Sequence, residues 1–374
     1  MRVVRLLALL MPLTVAAASA SEPIPAETIG VAVLPEPRPS WFIASSMDTA
    51  LVFDGADGQV LGMIPRTAYT TAIVTLPSRK EAYLVDSYYS RLVRGERTDV
   101  LTVIDMTDFT TAAEIELPAR TAALQIRGHI ALLHDERHVV VFNMTPAQSV
   151  SIVDVIDRQF DGEISTPGCA IIMPTGDRSF LMICGDGRLQ LITLDENGRE
   201  ASRSRTEPFF VVEEDPVYDR PVLTDKGWLL VSHGGQAYDV SVSGSRVTVS
   251  RPWSLLGDED REEEWRPGGA QPFAVHRNST LLYVLMHQGK VDTHHEPGTE
   301  IWVFDTERKK RVGKLSLEVA ASHLLSSQEE EPKLYVFDQD GKLGIYDGHQ
   351  LKLIRSIDDP GPGPGLLQLL ARDD

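Results

Sequence analysis

Ser151-Ile152-Val153-Asp154 and Trp302-Val303-Phe304-Asp305 are two copies of one phrase, a few apolar residues running into an aspartate. The phrase returns as Leu51-Val52-Phe53-Asp54, Thr102-Val103-Ile104-Asp105, Ile192-Thr193-Leu194-Asp195, Ala237-Tyr238-Asp239 and Gly344-Ile345-Tyr346-Asp347. The aspartates lie 51, 49, 41, 44, 66 and 42 residues apart. A period of roughly 40–50 residues built from short strands marks propeller blades, each a small sheet that must stack on its neighbours to bury both faces. Seven copies predict an all-β, seven-bladed β-propeller. The aspartates are expected to accept hydrogen bonds from turn amides, because copies spread around a ring cannot converge on one substrate.

Around these phrases the chain alternates apolar strands with turn signals such as Asp54-Gly55-Ala56-Asp57-Gly58. No amphipathic helix longer than two or three turns is legible. The widest gap, before Asp305, holds the acidic run Asp258-Glu259-Asp260-Arg261-Glu262-Glu263-Glu264, expected to be a solvated loop or short exposed helix. A second insertion carries His294-His295-Glu296. Adjacent histidines point apart in an extended chain, so no shared metal is expected there. Ring closure is expected to pair Val31-Ala32-Val33-Leu34 with the last blade near Leu366 to Leu370.

The first twenty residues read as a secretory signal: Arg2 and Arg5, an apolar stretch from Leu6 to Val15, then Ala18-Ser19-Ala20 before the cut. The apolar stretch is too short to span a bilayer, which needs about 20 residues. The predicted organisation is thus a signal peptide at 1–20 and one propeller domain at 21–374, exported to the periplasm. The formal charge of −18, or −20 without Arg2 and Arg5, argues against nucleic acid and anionic membranes, which need a basic face. It is compatible with steering a cationic small molecule or a basic protein.

The two cysteines, Cys169 and Cys184, form an even pair in an oxidising compartment, which argues for one disulfide. Cys169 to Met173 and Phe180 to Cys184 read as the arms of a hairpin whose open ends carry the cysteines. No HExxH, Walker loop, GxSxG or dinucleotide-binding GxGxxG lies in a suitable setting. His233-Gly234-Gly235 has no nucleophile elbow beside it. The chain offers no self-contained catalytic site and no legible metal site, which favours a scaffold or one subunit of an enzyme.

Less common phrases carry a resemblance. Gly62-Met63-Ile64 is followed by Tyr89-Ser90-Arg91-Leu92-Val93-Arg94-Gly95-Glu96-Arg97-Thr98-Asp99, then Trp265-Arg266-Pro267-Gly268-Gly269, Ala274-Val275-His276-Arg277 and Leu282-Tyr283-Val284-Leu285. In this order and spacing the chain resembles the heavy subunit of the periplasmic quinoprotein amine dehydrogenases, the methylamine and aromatic amine dehydrogenase family. The resemblance implies a seven-bladed propeller and a disulfide between Cys169 and Cys184. It also implies a tetramer of two heavy and two cysteine-rich light subunits. The cofactor, tryptophan tryptophylquinone, belongs to the light subunit, so Trp41, Trp228, Trp253, Trp265 and Trp302 are expected to pack cores or interfaces. The implied reaction converts a primary amine to aldehyde and ammonia and passes electrons to a blue copper protein, amicyanin- or azurin-like.

In that family an aromatic shortly after the Gly-Met-Ile phrase gates the substrate channel. Here the segment reads Pro65-Arg66-Thr67-Ala68-Tyr69, without the usual Gly-Phe-Leu-Pro pattern, and Tyr69 is the nearest aromatic. Tyr69 and Ala68 are therefore the candidate channel residues; an ordinary exposed loop tyrosine is the other reading. Arg94, Glu96, Arg97 and Asp99 either contact the light subunit or form an internal salt-bridge network. Trp265 is an aromatic anchor, for a subunit contact or for packing between blades. The rival function is a stand-alone exported propeller that binds a ligand or protein without a redox role. A propeller lactonase would need calcium ligands converging on the central channel, and no such cluster is legible.

Overall fold

In the computed structural model, residues 34–371 are described, apart from 119, 123 and 362. The signal peptide expected at 1–20 lies outside them. Alternating side chains give short strands with one buried set each, and the strands pair antiparallel with their sequence neighbours into six hydrogen-bonded sheets. The first sheet holds Phe42–Ser45, Thr49–Asp54, Gln59–Pro65 and the C-terminal Leu366–Leu369. The second holds Val74–Leu76, Glu81–Arg91, Arg94–Asp105 and Thr111–Leu117. The third is built on His138–Thr145, Ser149–Asp154 and Gln159–Ser165, with Ile130–Leu132 and Arg120–Thr121 on its inner side. The fourth, Cys169 to Arg205, and the fifth, Val222 to Ser254, repeat the plan.

The sixth sheet corrects the expected count of seven. It has eight strands and takes in both Asp305 and Asp347, so seven phrases fall in six sheets. The reason is one 17-residue strand, Lys310–Ser326. Its first half pairs with Gly298–Asp305 and its second half with Lys333–Asp338, so one continuous strand belongs to both repeats. The halves also pack on each other, Tyr283, Leu285 and Val303 meeting Leu324, Leu334 and Val336. Similar apolar clusters join each sheet to the next and the sixth to the first, where Phe42 and Phe53 meet Tyr335 and Phe337.

Closure differs from expectation in one partner. Leu366–Leu369 does close the ring, but it pairs with Phe42–Ser45. Residues 31–33 are outside the described part, and the Leu34 N–H donates to the Thr107 carbonyl instead. Two glutamines bolt the closing strand on either side. Gln368 exchanges two hydrogen bonds with the Ile73 backbone, at 3.0 and 2.9 Å, and Gln271 exchanges two with the Leu367 backbone, at 3.0 and 2.9 Å.

The strand-end aspartates act as expected. Asp54, Asp105, Asp154, Asp195, Asp305 and Asp347 each accept from backbone N–H groups two to four residues on. Asp239 differs, accepting from Ser250 and Lys309. The acidic insertion forms the short, largely exposed helix Asp258–Glu262. Cys169 and Cys184 sit opposite each other in the ladder and are disulfide-bonded.

Candidate functional site

The second sheet departs from the others in length. Its middle strands run 11 and 12 residues, against 4 and 6 for their counterparts in the first sheet. The surplus, Tyr88 to Thr98, projects as a hairpin with a largely solvent-exposed surface. At its tip Leu92, in the left-handed region at φ 62°, is 90% exposed and Val93 is 67% exposed. Gly95 follows at φ 104°, where an added Cβ would lie 2.3 Å from the Ser90 hydroxyl oxygen, so only glycine fits this turn. An apolar tip held out on a two-stranded arm costs exposed hydrophobic area, a mark of contact surfaces.

The charged run divides by burial. Arg94 and Glu96 are exposed near the tip. Arg97 and Asp99 are lower down and partly or fully buried. The Arg97 guanidinium donates to Asp99 at 2.7 Å, to the Ser87 hydroxyl at 3.0 Å and to the Thr121 carbonyl at 2.9 Å. Asp99 accepts from the Thr121 N–H at 2.8 Å. This pair bolts the hairpin base to the third sheet, which is the internal-network reading for Arg97 and Asp99.

The loop carrying Ala68 and Tyr69 lies along this base. Thr67 donates through its N–H and hydroxyl to Asp86, and the Ser87 N–H donates to the Tyr69 carbonyl at 2.9 Å. The half-exposed Tyr69 ring meets Tyr89 edge-on at 5.4 Å, and Arg97 sits 6.0 Å from the Tyr89 ring. Tyr69 thus joins Tyr89, Arg97 and Asp99 of the separate quoted run Tyr89 to Asp99 in one connected group. Ala68 is exposed beside them.

Arg66 was missed by sequence reading. Its guanidinium nitrogens are buried without a hydrogen-bond partner, near Asp86 and Asp48, and burial pushes its pKa down to about 10. The only signal available was its place in the Pro65-to-Tyr69 segment.

Trp265 packs rather than projecting freely: its ring lies 5.2 Å from the fully buried Trp302, and its indole N–H donates to Glu263 at 2.9 Å. Trp41 and Trp253 are buried, and Trp228 donates to the Pro174 carbonyl. The expectation that His294 and His295 point apart is corrected. Their ring centroids are 4.0 Å apart, and His233 stacks on His294 at 3.9 Å, because the segment is a turn-rich loop with Asp292 at φ 70° rather than an extended strand.

Where the innermost strands face one another there is a partly open cavity of about 120 Å³. Ile73, Ile130, Ile172, Val222, Val275 and Leu369 form part of its apolar wall. Arg127, Arg277 and Gln328 are among its polar members, and no carboxylate lines it among the described residues.

A family model for the methylamine dehydrogenase heavy chain matches residues 37–370. The methylamine dehydrogenase heavy chain of Methylophilus methylotrophus is 27% identical over 331 residues, covering 85% of this chain and 79% of that one. Its counterpart from Paracoccus versutus is 28% identical over 321 residues, covering 84% and 74%. Among solved structures, the Cps50 (Swd1) β-propeller domain of Myceliophteria thermophila superposes with a TM-score of 0.55 at 9% identity, covering 83% of this chain and 93% of that one. Kluyveromyces lactis Hsv2 gives 0.56 at 11%, covering 86% and 96%. At such identities these two likenesses speak to the fold.

Proposed function

Because the chain belongs to the methylamine dehydrogenase heavy chain family, we propose that it is the exported, non-catalytic heavy subunit of an amine dehydrogenase that converts primary amines to aldehyde and ammonia. The family implies a light-subunit partner. The finer reading is a periplasmic complex of two heavy and two light subunits that delivers electrons to a blue copper protein.

The observation that carries this reading is the family match across the whole described propeller, 37–370. The tryptophans of this chain are poor cofactor candidates. Trp41 and Trp302 are wholly buried, and Trp302 lies under Arg311 at 4.1 Å, so neither ring can meet a substrate. As the family resemblance implies, tryptophan tryptophylquinone would belong to the light subunit, where it would supply the carbonyl and redox chemistry of the reaction. This chain's residues serve by positioning. The hairpin tip, Leu92 and Val93 with Arg94 and Glu96, offers an apolar anchor ringed by charge for the light subunit. Tyr69, braced by Tyr89, and Ala68 would wall the channel and exclude water beside the partner's reacting group.

The test is to express the chain with and without its small cysteine-rich partner. Co-purification and an absorption band bleached by a primary amine are expected only for the pair. Amine oxidation by the heavy chain alone, or no association with a small subunit, would overturn the reading.

A further inference from the structure

We propose that His138, Asp154 and Asp161 form a binding site for one divalent transition-metal cation, of the Zn²⁺ or Mn²⁺ class, in the third sheet. The site lies at the other end of the strands from the turns that correspond to the long hairpin, away from the surface offered to a light subunit. One ligand atom from each residue falls within 4.8 Å of the other two.

The ladder builds the site. His138 lies directly opposite Asp154. The positions opposite Asp105, Asp305 and Asp347 hold Glu81, Leu281 and Lys333 instead. The third ligand comes from a β-bulge, which re-aims the extra residue. Here Ile152 pairs with Gly162 and Val153 with Phe160, leaving Asp161 as the unpaired residue. Bulges at the same place in other repeats leave Leu61, Ala112, Ala201, Val312 and Ile354 unpaired, all apolar. Only this bulge puts a carboxylate among its apolar counterparts.

The imidazole is buried and held in one orientation. The His138 side chain is 1% exposed, and its Nδ1 lies 2.5 Å from an Asp135 oxygen. A carboxylate only accepts, so Nδ1 carries a proton. In the neutral ring the lone pair is then on Nε2, which is buried without a hydrogen-bond partner and faces Asp161 Oδ2 at 3.7 Å. A lone pair opposed to a carboxylate is repulsive unless a proton or a metal cation lies between them. The Asp135 contact is also what a metal-bound histidine needs, a carboxylate on the far ring nitrogen that fixes tautomer and orientation.

Charge and access agree. Asp135, Asp154, Asp157 and Asp161 are opposed by Arg137, which pairs with Asp154 and Asp157. The Asp161 side chain, 9% exposed, borders a groove formed with Gly162, Glu163, Gly198 and Arg199. A Cβ at Gly198, where φ is +70°, would lie 2.9 Å from Asp161 Oδ2 and crowd that approach. One imidazole with two carboxylates suits a borderline cation better than Ca²⁺, which prefers six to eight oxygens.

The test uses the full mature chain, stripped with chelator and dialysed against Zn²⁺ or Mn²⁺, with metal per chain and thermal midpoint as readouts. One retained ion per chain and a metal-dependent rise in midpoint are expected. Asp161→Asn should weaken binding at least tenfold without lowering the metal-free midpoint, since it removes one member of the repelling pair. Asp135→Asn should weaken it by about 10–100-fold, and His294→Gln should leave it unchanged. Wild type retaining no stoichiometric ion, which would mean that a proton satisfies the imidazole–carboxylate contact, overturns the proposal. So does an Asp161→Asn chain that binds as wild type does.

Discussion

Gln368→Ala removes the bolt between the last strand and the second sheet. The side chain is 7% exposed, and its amide gives the Ile73 N–H its acceptor at 3.0 Å and the Ile73 carbonyl its donor at 2.9 Å. No other residue takes over these roles when the amide is cut back, because Ile73 lies just before the inner strand Val74–Leu76 of its sheet and borders the cavity. Each buried group left unmet costs about 1–3 kcal/mol. The neighbouring cavity lets water reach them, so the lower part of that range applies and the pair should cost roughly 2–3 kcal/mol. Unfolding entropy of about 2.1 cal/mol/K per residue over roughly 340 residues converts this to a midpoint lowered by about 3–4 °C. Thermal and urea unfolding measure the loss, and hydrogen exchange at the Ile73 amide locates it. Gln368→Glu keeps an acceptor for the N–H but opposes a charged oxygen to the Ile73 carbonyl, so it should be worse at pH 8 than at pH 5. A Gln368→Ala midpoint within about 1 °C of wild type, with the Ile73 amide still protected, would refute the account of ring closure.

Other outcomes follow from the same structure. Tyr69→Ala in the assembled complex should change kcat/KM between small and aryl amines by about tenfold or more, and steady-state kinetics on two such amines would show an indifferent loop residue as unchanged ratios. Leu92→Asp with Val93→Asp should weaken light-subunit association about tenfold or more while moving the heavy chain's midpoint by about 1 °C at most; pull-down titration and calorimetry separate the two effects. His129 and His323 are 4% and 5% exposed, and burial pushes both pKa values down to about 4 from 6.5. The unfolded chain therefore binds these protons first as pH falls. Stability is full above about pH 6.5 and drops toward pH 4 at roughly 1.4 kcal/mol per unit per histidine. Urea unfolding between pH 7.5 and 4.5 should show this slope, and a flatter one in His129→Gln and His323→Gln.

The propeller was legible because the repeats share one physical device, an apolar strand running into an aspartate, which in six of the seven accepts turn amides. Such local patterns survive in a sequence. The merging of two repeats through Lys310–Ser326 was not, since strand continuity depends on which edge pairs where. The closing strand was placed at Leu366 to Leu370, yet its partner was misassigned because any short apolar strand near the start fits equally well by pattern. Arg97 and Asp99 read as a charge run whose structural half could be stated but not chosen; only the third sheet's Thr121 reveals the choice. His138 and Asp161 carried no motif at all. They meet through a ladder register and a bulge, neither of which has a fixed spacing in the chain.

The most direct test of the central claim is reconstitution. Purified heavy chain is mixed with the small cysteine-rich subunit, and amine-dependent bleaching of the quinone band is followed across a titration of heavy chain. The account predicts that turnover appears only with both chains and saturates at one heavy chain per light chain. Full activity from either chain alone, or turnover indifferent to added heavy chain, would contradict it.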